Sequence, residues 1–195
     1  MTVAEYERCV TAGACAPSTS QFLGEERMRP AAARRDRFCT AAGSNSALPM
    51  NCVSLASARA YCRWVGKRLP TVDEWERAAC GCDGRRYPWG DEAPNAGLIC
   101  MSDVCSVGEH PRDAHGGLLD ASGNVAEWTT TPHCVSDSCD GARVVVGGSS
   151  IQRDPNQWRC GVRSWAADDV RAAGIGFRCV RDARVDLAQS DDYPQ

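Results

Sequence analysis

Three stretches of the chain repeat apolar residues at helical spacing, and each is bracketed by residues that start or stop a helix. In the first, Val3, Tyr6 and Val10 follow Thr2. Glu5 closes a capping box, in which the Thr hydroxyl and the Glu carboxylate each satisfy a free N–H of the first turn. Gly13 ends this helix, and Cys9 and Cys15 flank the end closely enough to pair. In the second, over residues 56–65, Ala56, Ala60, Tyr61 and Trp64 share one face with Cys62 beside them, and Gly66 supplies the stop. The third opens at Pro70 and Thr71, with Thr71 as N-cap and Glu74 as its reciprocal partner. It turns Trp75, Ala78 and Ala79 towards the core.

Elsewhere the periodicity is weak. Residues 16–50 are rich in Ala, Arg, Ser and Pro and read as a surface excursion with one short helix near 25–35. Beyond Cys82 the pattern changes to Gly, Pro, Asn and Asp with scattered aromatics, which predicts loop with very short strands over 83–142. So long an irregular region needs metal ions or disulfides to hold it. Residues 144–146 and 176–180 are the clearest strands. The chain forms one domain over 1–182, and the polar tail 183–195 is expected to fray.

Charge and composition exclude some functions. The formal net charge is −3 and the basic residues are dispersed, apart from Arg34-Arg35 and Arg85-Arg86, so nucleic acid is not an expected partner. No apolar run is long enough for a membrane span. Thirteen cysteines in 195 residues, scattered rather than gathered in paired CxxC knuckles, point to disulfides formed in an oxidising, extracytoplasmic compartment. A zinc site from Cys80, Cys82, Cys100 and Cys105 is the alternative use of these thiols, and the odd count leaves at least one thiol unpaired or available for a partner chain.

Residues 120–129, DASGNVAEWT, place two carboxylates, Asp120 and Glu127, around a Ser122-Gly123-Asn124 turn. Carboxylates and turn carbonyls together are what Ca²⁺ accepts; an ordinary loop with a solvated Asp is the plainer reading. Four further phrases stand in fixed order around this one: KRLPTVDEWE at 67–76, YPWGD at 87–91, Gly147-Gly148-Ser149, and Gly176-Phe177-Arg178. Together the five phrases resemble the formylglycine-generating enzyme (sulfatase-modifying factor) family over about 2–181. The resemblance implies an α+β fold, a variant of the C-type lectin-like fold, with two helices packed on short antiparallel strands and long loops. It also implies that a leader and an opening strand precede the chain.

The resemblance further implies one structural Ca²⁺, bound by the side chains of Asp120 and Glu127 and the carbonyls of Gly123 and Val125. A second would use Asn95 and the carbonyl of Ala96, with Asp103 as the remaining ligand. Both ions would order loops 90–130 and do no chemistry. Disulfides Cys62–Cys179 and Cys80–Cys160 are implied in the same way, with Cys82 as the alternative partner of Cys160.

Active relatives oxidise a substrate cysteine with O₂ on Cu(I) held by two thiolates, because soft sulfur selects that ion. The first thiolate stands three residues after the Ser of the Gly-Gly-Ser phrase and the second five residues later. Here those places fall on Gln152 and on 155–157, which carry no thiol, so copper is not expected. The family's iron relatives need an imidazole cluster, whereas His110, His115 and His133 are dispersed in loops, and no GxSxG turn is present. The reading is a Ca²⁺-ordered, disulfide-tied domain that recognises a protein, peptide or glycan through a groove of Ser149, Gln152, Trp158, Arg163 and Trp165. An oxidoreductase acting on a protein cysteine is the alternative.

Overall fold

Thr2 caps the first helix, α1 (Val3–Thr11), as its sequence dictates: the Glu5 N–H donates to Thr2 Oγ1 at 3.2 Å and the Thr2 N–H to Glu5 Oε2 at 2.8 Å. The computed structural model describes residues 1–18, 39–113, 116–134 and 138–182. The helix expected near 25–35, His115 and the tail 183–195 lie outside these residues.

The second helix, α2 (Leu55–Trp64), starts from Ser54, and it buries Leu55, Ala58, Tyr61 and Cys62. This corrects the expected face, since Ala56 and Trp64 are exposed and Ala60 is half-buried. Leu55 offers more apolar area than Ala56, and the Cys62–Cys179 bond fixes the helix's rotation. The third helix, α3 (Val72–Cys80), carries the expected capping box between Thr71 and Glu74. It buries Val72, Trp75 and Ala79, while Ala78 points to solvent, a quarter-turn or so away from Ala79.

The strands β1 (Ala126–Pro132), β2 (Ala142–Val146), β3 (Arg163–Ala167) and β4 (Ile175–Gly176) form a sheet in the order β3-β2-β1-β4. Neighbours are antiparallel except β1 and β4, which run parallel. Two expectations are corrected here. β1 is seven residues long, and its Thr129 Oγ1 donates to the Val144 carbonyl at 2.7 Å. The strand expected at 176–180 shrinks to Ile175–Gly176 plus an isolated bridge between Arg68 and Val180.

The central strands β1 and β2 are covered on both faces, which explains the unbroken Val144-Val145-Val146 run. Val145, Trp128, Ala166 and Phe177 pack with α1 and α2 through Val3, Tyr6, Leu55 and Tyr61. Val144 and Val146 face the other way, onto Val72, Trp75 and Ala79 of α3. The α-helices number three among the described residues and lie on both sides of the sheet.

Six disulfides form: Cys9–Cys15, Cys39–Cys52, Cys62–Cys179, Cys80–Cys160, Cys100–Cys105 and Cys134–Cys139. Cys82 is the exposed thiol left over. The four-thiol zinc reading fails because Cys80, Cys100 and Cys105 are all spent in bridges. Cys62–Cys179 and Cys80–Cys160 span 117 and 80 residues, whereas Cys100–Cys105 and Cys134–Cys139 span 5. In the chain-entropy account the long closures stabilise by about 4–5 kcal/mol and the short ones by about 2 kcal/mol. Among the described residues no helix is long and apolar enough to cross a membrane.

Candidate functional site

After β2 the chain turns through Gly147 and Gly148 at φ 87° and 60°. A Cβ at Gly148 would stand 2.7 Å from the Gln157 carbonyl oxygen and 2.8 Å from Trp158 Cδ1, so glycine is required there on both counts. The turn lays Ser149 and Ser150 against the short 3₁₀ helix Pro155–Trp158, which Asp154 caps by accepting from the Asn156 N–H. Trp158 is buried on Tyr87, Leu98 and Ile99 and is locked by two polar contacts. Its Nε1 donates to the Ser149 carbonyl at 3.2 Å, and its own carbonyl accepts from Ser122 Oγ at 3.0 Å.

Above this floor opens a cleft of about 670 Å³, walled by Asn95, Ala96, Met101 and Ser102 on one side and by Ser150, Ile151, Gln152 and Arg153 on the other. Gln152 turns its amide inward: Oε1 accepts from the Ser149 N–H at 2.7 Å, and Nε2 donates to Gln157 Oε1 at 3.5 Å. Ser150 is buried and its Oγ has no hydrogen-bond partner, although it lines the cleft. Ile151 is 60% exposed at the mouth, and Arg153 is the one charged residue of the lining. The cleft thus offers two hydroxyls, two amides, an apolar lip and one cation, with no thiol among the lining residues.

The structure divides the expected groove. Ser149, Gln152 and Trp158 come together at the cleft. Arg163 lies instead beside α3, where its guanidinium donates twice to Glu76, at 2.8 Å each. Trp165, 58% exposed on β3, stacks on His133 with ring centroids 5.1 Å apart. Strand alternation explains the separation, because Arg163 and Trp165 point to the α3 face of the sheet while the cleft is built from loops beyond its end. Ser150, Ile151, Arg153, Met101 and Ser102 were missed by the sequence reading. The signal available for Ser150, Ile151 and Arg153 was adjacency to Gly-Gly-Ser; Met101 and Ser102 carried none.

For the first calcium site, Glu127 is 5% exposed. Its Oε2 accepts from Trp75 Nε1 at 2.6 Å and pairs with Arg178 Nε. Arg178 Nη2 also donates to the carbonyls of Leu119 and Asp120 at 3.1 and 2.9 Å. Both Glu127 contacts fall on Oε2, which leaves Oε1 to ligate. Asp120 takes a positive φ of 51° and accepts from the Gly108 N–H at 2.7 Å through Oδ2. Gly123 and Val125 are buried, and no backbone N–H of the described residues donates to either carbonyl. Two carboxylates and two buried, undonated carbonyls are a hard-oxygen set that fits Ca²⁺.

The second set sits in two tight turns. Asn95 Oδ1 accepts from the Gly97 N–H at 2.9 Å, and Asp103 Oδ1 accepts from the Val104 N–H at 2.8 Å, so both side chains close their own turns. Asn95 and Ala96 line the cleft.

Comparison with known proteins matches this arrangement to one family. The model of the sulfatase-modifying factor enzyme 1-like domain covers residues 1–183. A formylglycine-generating enzyme from Streptomyces coelicolor is 36% identical over 169 residues, covering 69% of this chain and 53% of that protein. An inactive Cα-formylglycine-generating enzyme 2 from Bos taurus is 36% identical over 154 residues, covering 69% of this chain and 50% of that protein. The chain therefore spans about half the length of the curated relatives it matches. Among solved structures, Treponema denticola variable protein 1 superposes with a TM-score of 0.62 at 18% identity, covering 91% of this chain and 80% of that one, which shows the shared fold. Fold, motif order and sequence likeness agree: the chain belongs to the sulfatase-modifying factor enzyme 1-like, or formylglycine-generating-enzyme-type, family.

Proposed function

We propose that the domain binds a peptide segment of a partner protein in the cleft above Trp158 and leaves it chemically unchanged, in an extracytoplasmic setting supported by the six disulfides. The observation that carries this reading is Gln152. It stands where the first copper thiolate of active relatives is expected, and its amide is engaged by the Ser149 N–H rather than offered to a metal. Ser150 Oγ, buried and without a partner, is the hydroxyl a bound peptide group can satisfy, because an unpaired buried polar atom gains most from a new hydrogen bond. Arg153 at the rim favours a segment with a carboxylate or other acceptor.

Calcium supports the cleft from behind. Asp120, Glu127 and the carbonyls of Gly123 and Val125 would hold it, and the ion would supply ordering of the loop without redox chemistry. Arg178 fixes the second oxygen of Glu127 from the other side. The turn at Gly123 packs on the Cys100 carbonyl, where an added Cβ would lie 2.6 Å away, so order in 120–127 passes directly to the cleft wall.

The test is incubation of the protein with Cu(I), O₂ and a Cys-x-Pro-x-Arg peptide, read by mass spectrometry and by binding of the same peptide. Unchanged mass is expected. Conversion of the cysteine to the aldehyde would establish the oxidoreductase reading instead. Against an array of acidic and neutral peptides, Ser150→Ala and Arg153→Ala are expected to weaken binding about tenfold each, equivalent to one lost hydrogen bond to a charged or buried group. Binding untouched by both substitutions would remove this cleft as the recognition surface.

A further inference from the structure

Cys100, Cys105 and His110 bring their two sulfurs and one imidazole nitrogen within 4.8 Å of one another. We propose that this trio is a redox-gated site for a thiophilic d¹⁰ cation, Zn²⁺ or Cu(I), that is closed while the Cys100–Cys105 disulfide is intact and opens when the bridge is reduced. The ligand chemistry is that of two thiolates and a neutral imidazole, a set that suits borderline and soft ions and leaves a fourth position open.

Contacts other than the S–S bond also hold the two cysteine backbones. Asn124, buried at a φ of 50°, donates through Nδ2 to the Cys105 carbonyl at 3.2 Å and accepts from the Cys105 N–H through Oδ1 at 3.2 Å. Its own N–H donates to the Cys100 carbonyl at 3.1 Å. Both cysteine backbones are therefore pinned to one buried amide residue. His110 follows a turn fixed by Ser106 N–H to Glu109 Oε2 at 3.0 Å and Gly108 N–H to Asp120 Oδ2 at 2.7 Å. A tetrahedral ion needs ligand atoms about 3.5–4 Å apart, so opening the bridge requires the sulfurs to separate by a local side-chain rotation and no more. Because the bridge closes the short span 100–105, losing it releases far less chain than losing either long bridge.

The chemistry balances. A dithiol opens the bridge by exchange and leaves as its own disulfide; a phosphine does so by taking oxygen from water, whose two protons finish on the cysteines. Binding of the cation then releases both protons, and two thiolates neutralise the charge of Zn²⁺. Met101 and Ser102, between the two cysteines, line the cleft. The redox state of the loop thereby reaches the cleft wall, although the site stands independently of the peptide reading.

The experiment uses the full chain carrying Cys82→Ser, so that the exposed thiol cannot compete. After limited phosphine reduction, alkylation and mass mapping identify which bridges have opened. Zn²⁺ and Cu(I) are titrated in separate arms, with Co²⁺ as a spectroscopic probe. One equivalent is expected to bind only after reduction, with a thiolate-to-Co²⁺ charge-transfer band. His110→Ala is expected to weaken binding at least tenfold, and Cys100→Ser with Cys105→Ser to abolish it. An opened bridge that binds neither ion, or binding indifferent to His110→Ala, overturns the proposal. So does a bridge that opens only when Cys62–Cys179 opens and the fold is lost.

Discussion

Glu74 serves two partners with one carboxylate. It accepts from both Nη atoms of Arg68, at 2.7 and 2.6 Å, and from the Thr71 N–H at 2.9 Å. The Arg68 hydrogen bonds, followed by that of Thr71, hold its pKa down at about 2, below the ordinary 4.5. A carboxylate depressed on folding contributes stability that is present above about pH 4.5 and fades as the pH falls towards about 2. Glu74→Gln is therefore expected to flatten the dependence of Tm on pH across that window, and an unaltered acid limb would show that solvent already screens the pair. Gly148→Ala is a harsher change, because the added Cβ meets a backbone carbonyl at 2.7 Å at a positive φ. It is expected to cost about 1–3 kcal/mol in thermal or denaturant unfolding and to disturb the cleft floor. Gln152 was visible in the sequence as a missing thiol. Its engagement by the Ser149 N–H was not, because a glutamine's partner depends on how the turn after Gly148 closes.

At the scale of elements, the starts of α1 and α3 were legible to the residue, since a capping box lies within four residues of chain. The buried face of α2 was misjudged for the complementary reason: Leu55 and Ala58 face inward because the sheet and Phe177 lie on that side. β1 escaped notice because its Thr-rich half lacks an apolar alternation and finds its order in the ladder with β2. The long bridges tie these elements together, with Cys62–Cys179 joining α2 to the chain after β4 and Cys80–Cys160 joining α3 to the chain before β3. Replacing Cys62 and Cys179 by alanine is expected to destabilise by about 2–5 kcal/mol in denaturant unfolding, whereas the same change at Cys134 and Cys139 should cost less. Equal losses would show that native-state strain, rather than closure of a long loop, sets their worth.

For the molecule as a whole, the loops over 83–113 and 116–125 are held by a buried polar and aromatic framework as well as by the sheet. Tyr87, Leu98, Ile99 and Trp158 form its apolar part, and Glu127, Arg178 and Asn124 its polar part. Calcium at Asp120 and Glu127 would add to it: at a free concentration a hundred times Kd it would stabilise by about 2.7 kcal/mol. Melting in Ca²⁺ against a chelator is expected to show a Tm higher by several degrees, with the difference lost in Asp120→Ala. Identical melting curves would mean that Arg178 alone supplies the cation at Glu127. Since Trp165 and Arg163 stand away from the cleft, replacing both with alanine should leave peptide binding there intact, and a loss would place recognition on the α3 side of the sheet.

The sequence by itself determined the helix caps, the disulfide-rich character and the family, because caps act over single turns and the five phrases keep their order along the chain. Tertiary structure decided which of the expected site residues meet. Contacts such as Arg178 with Glu127 and Asn124 with Cys105 join residues 51 and 19 positions apart. Such pairings follow from how whole layers pack, and local spacing carries no record of them; this is why the cleft lining and the Cys100, Cys105 and His110 trio appear only once the chain is folded.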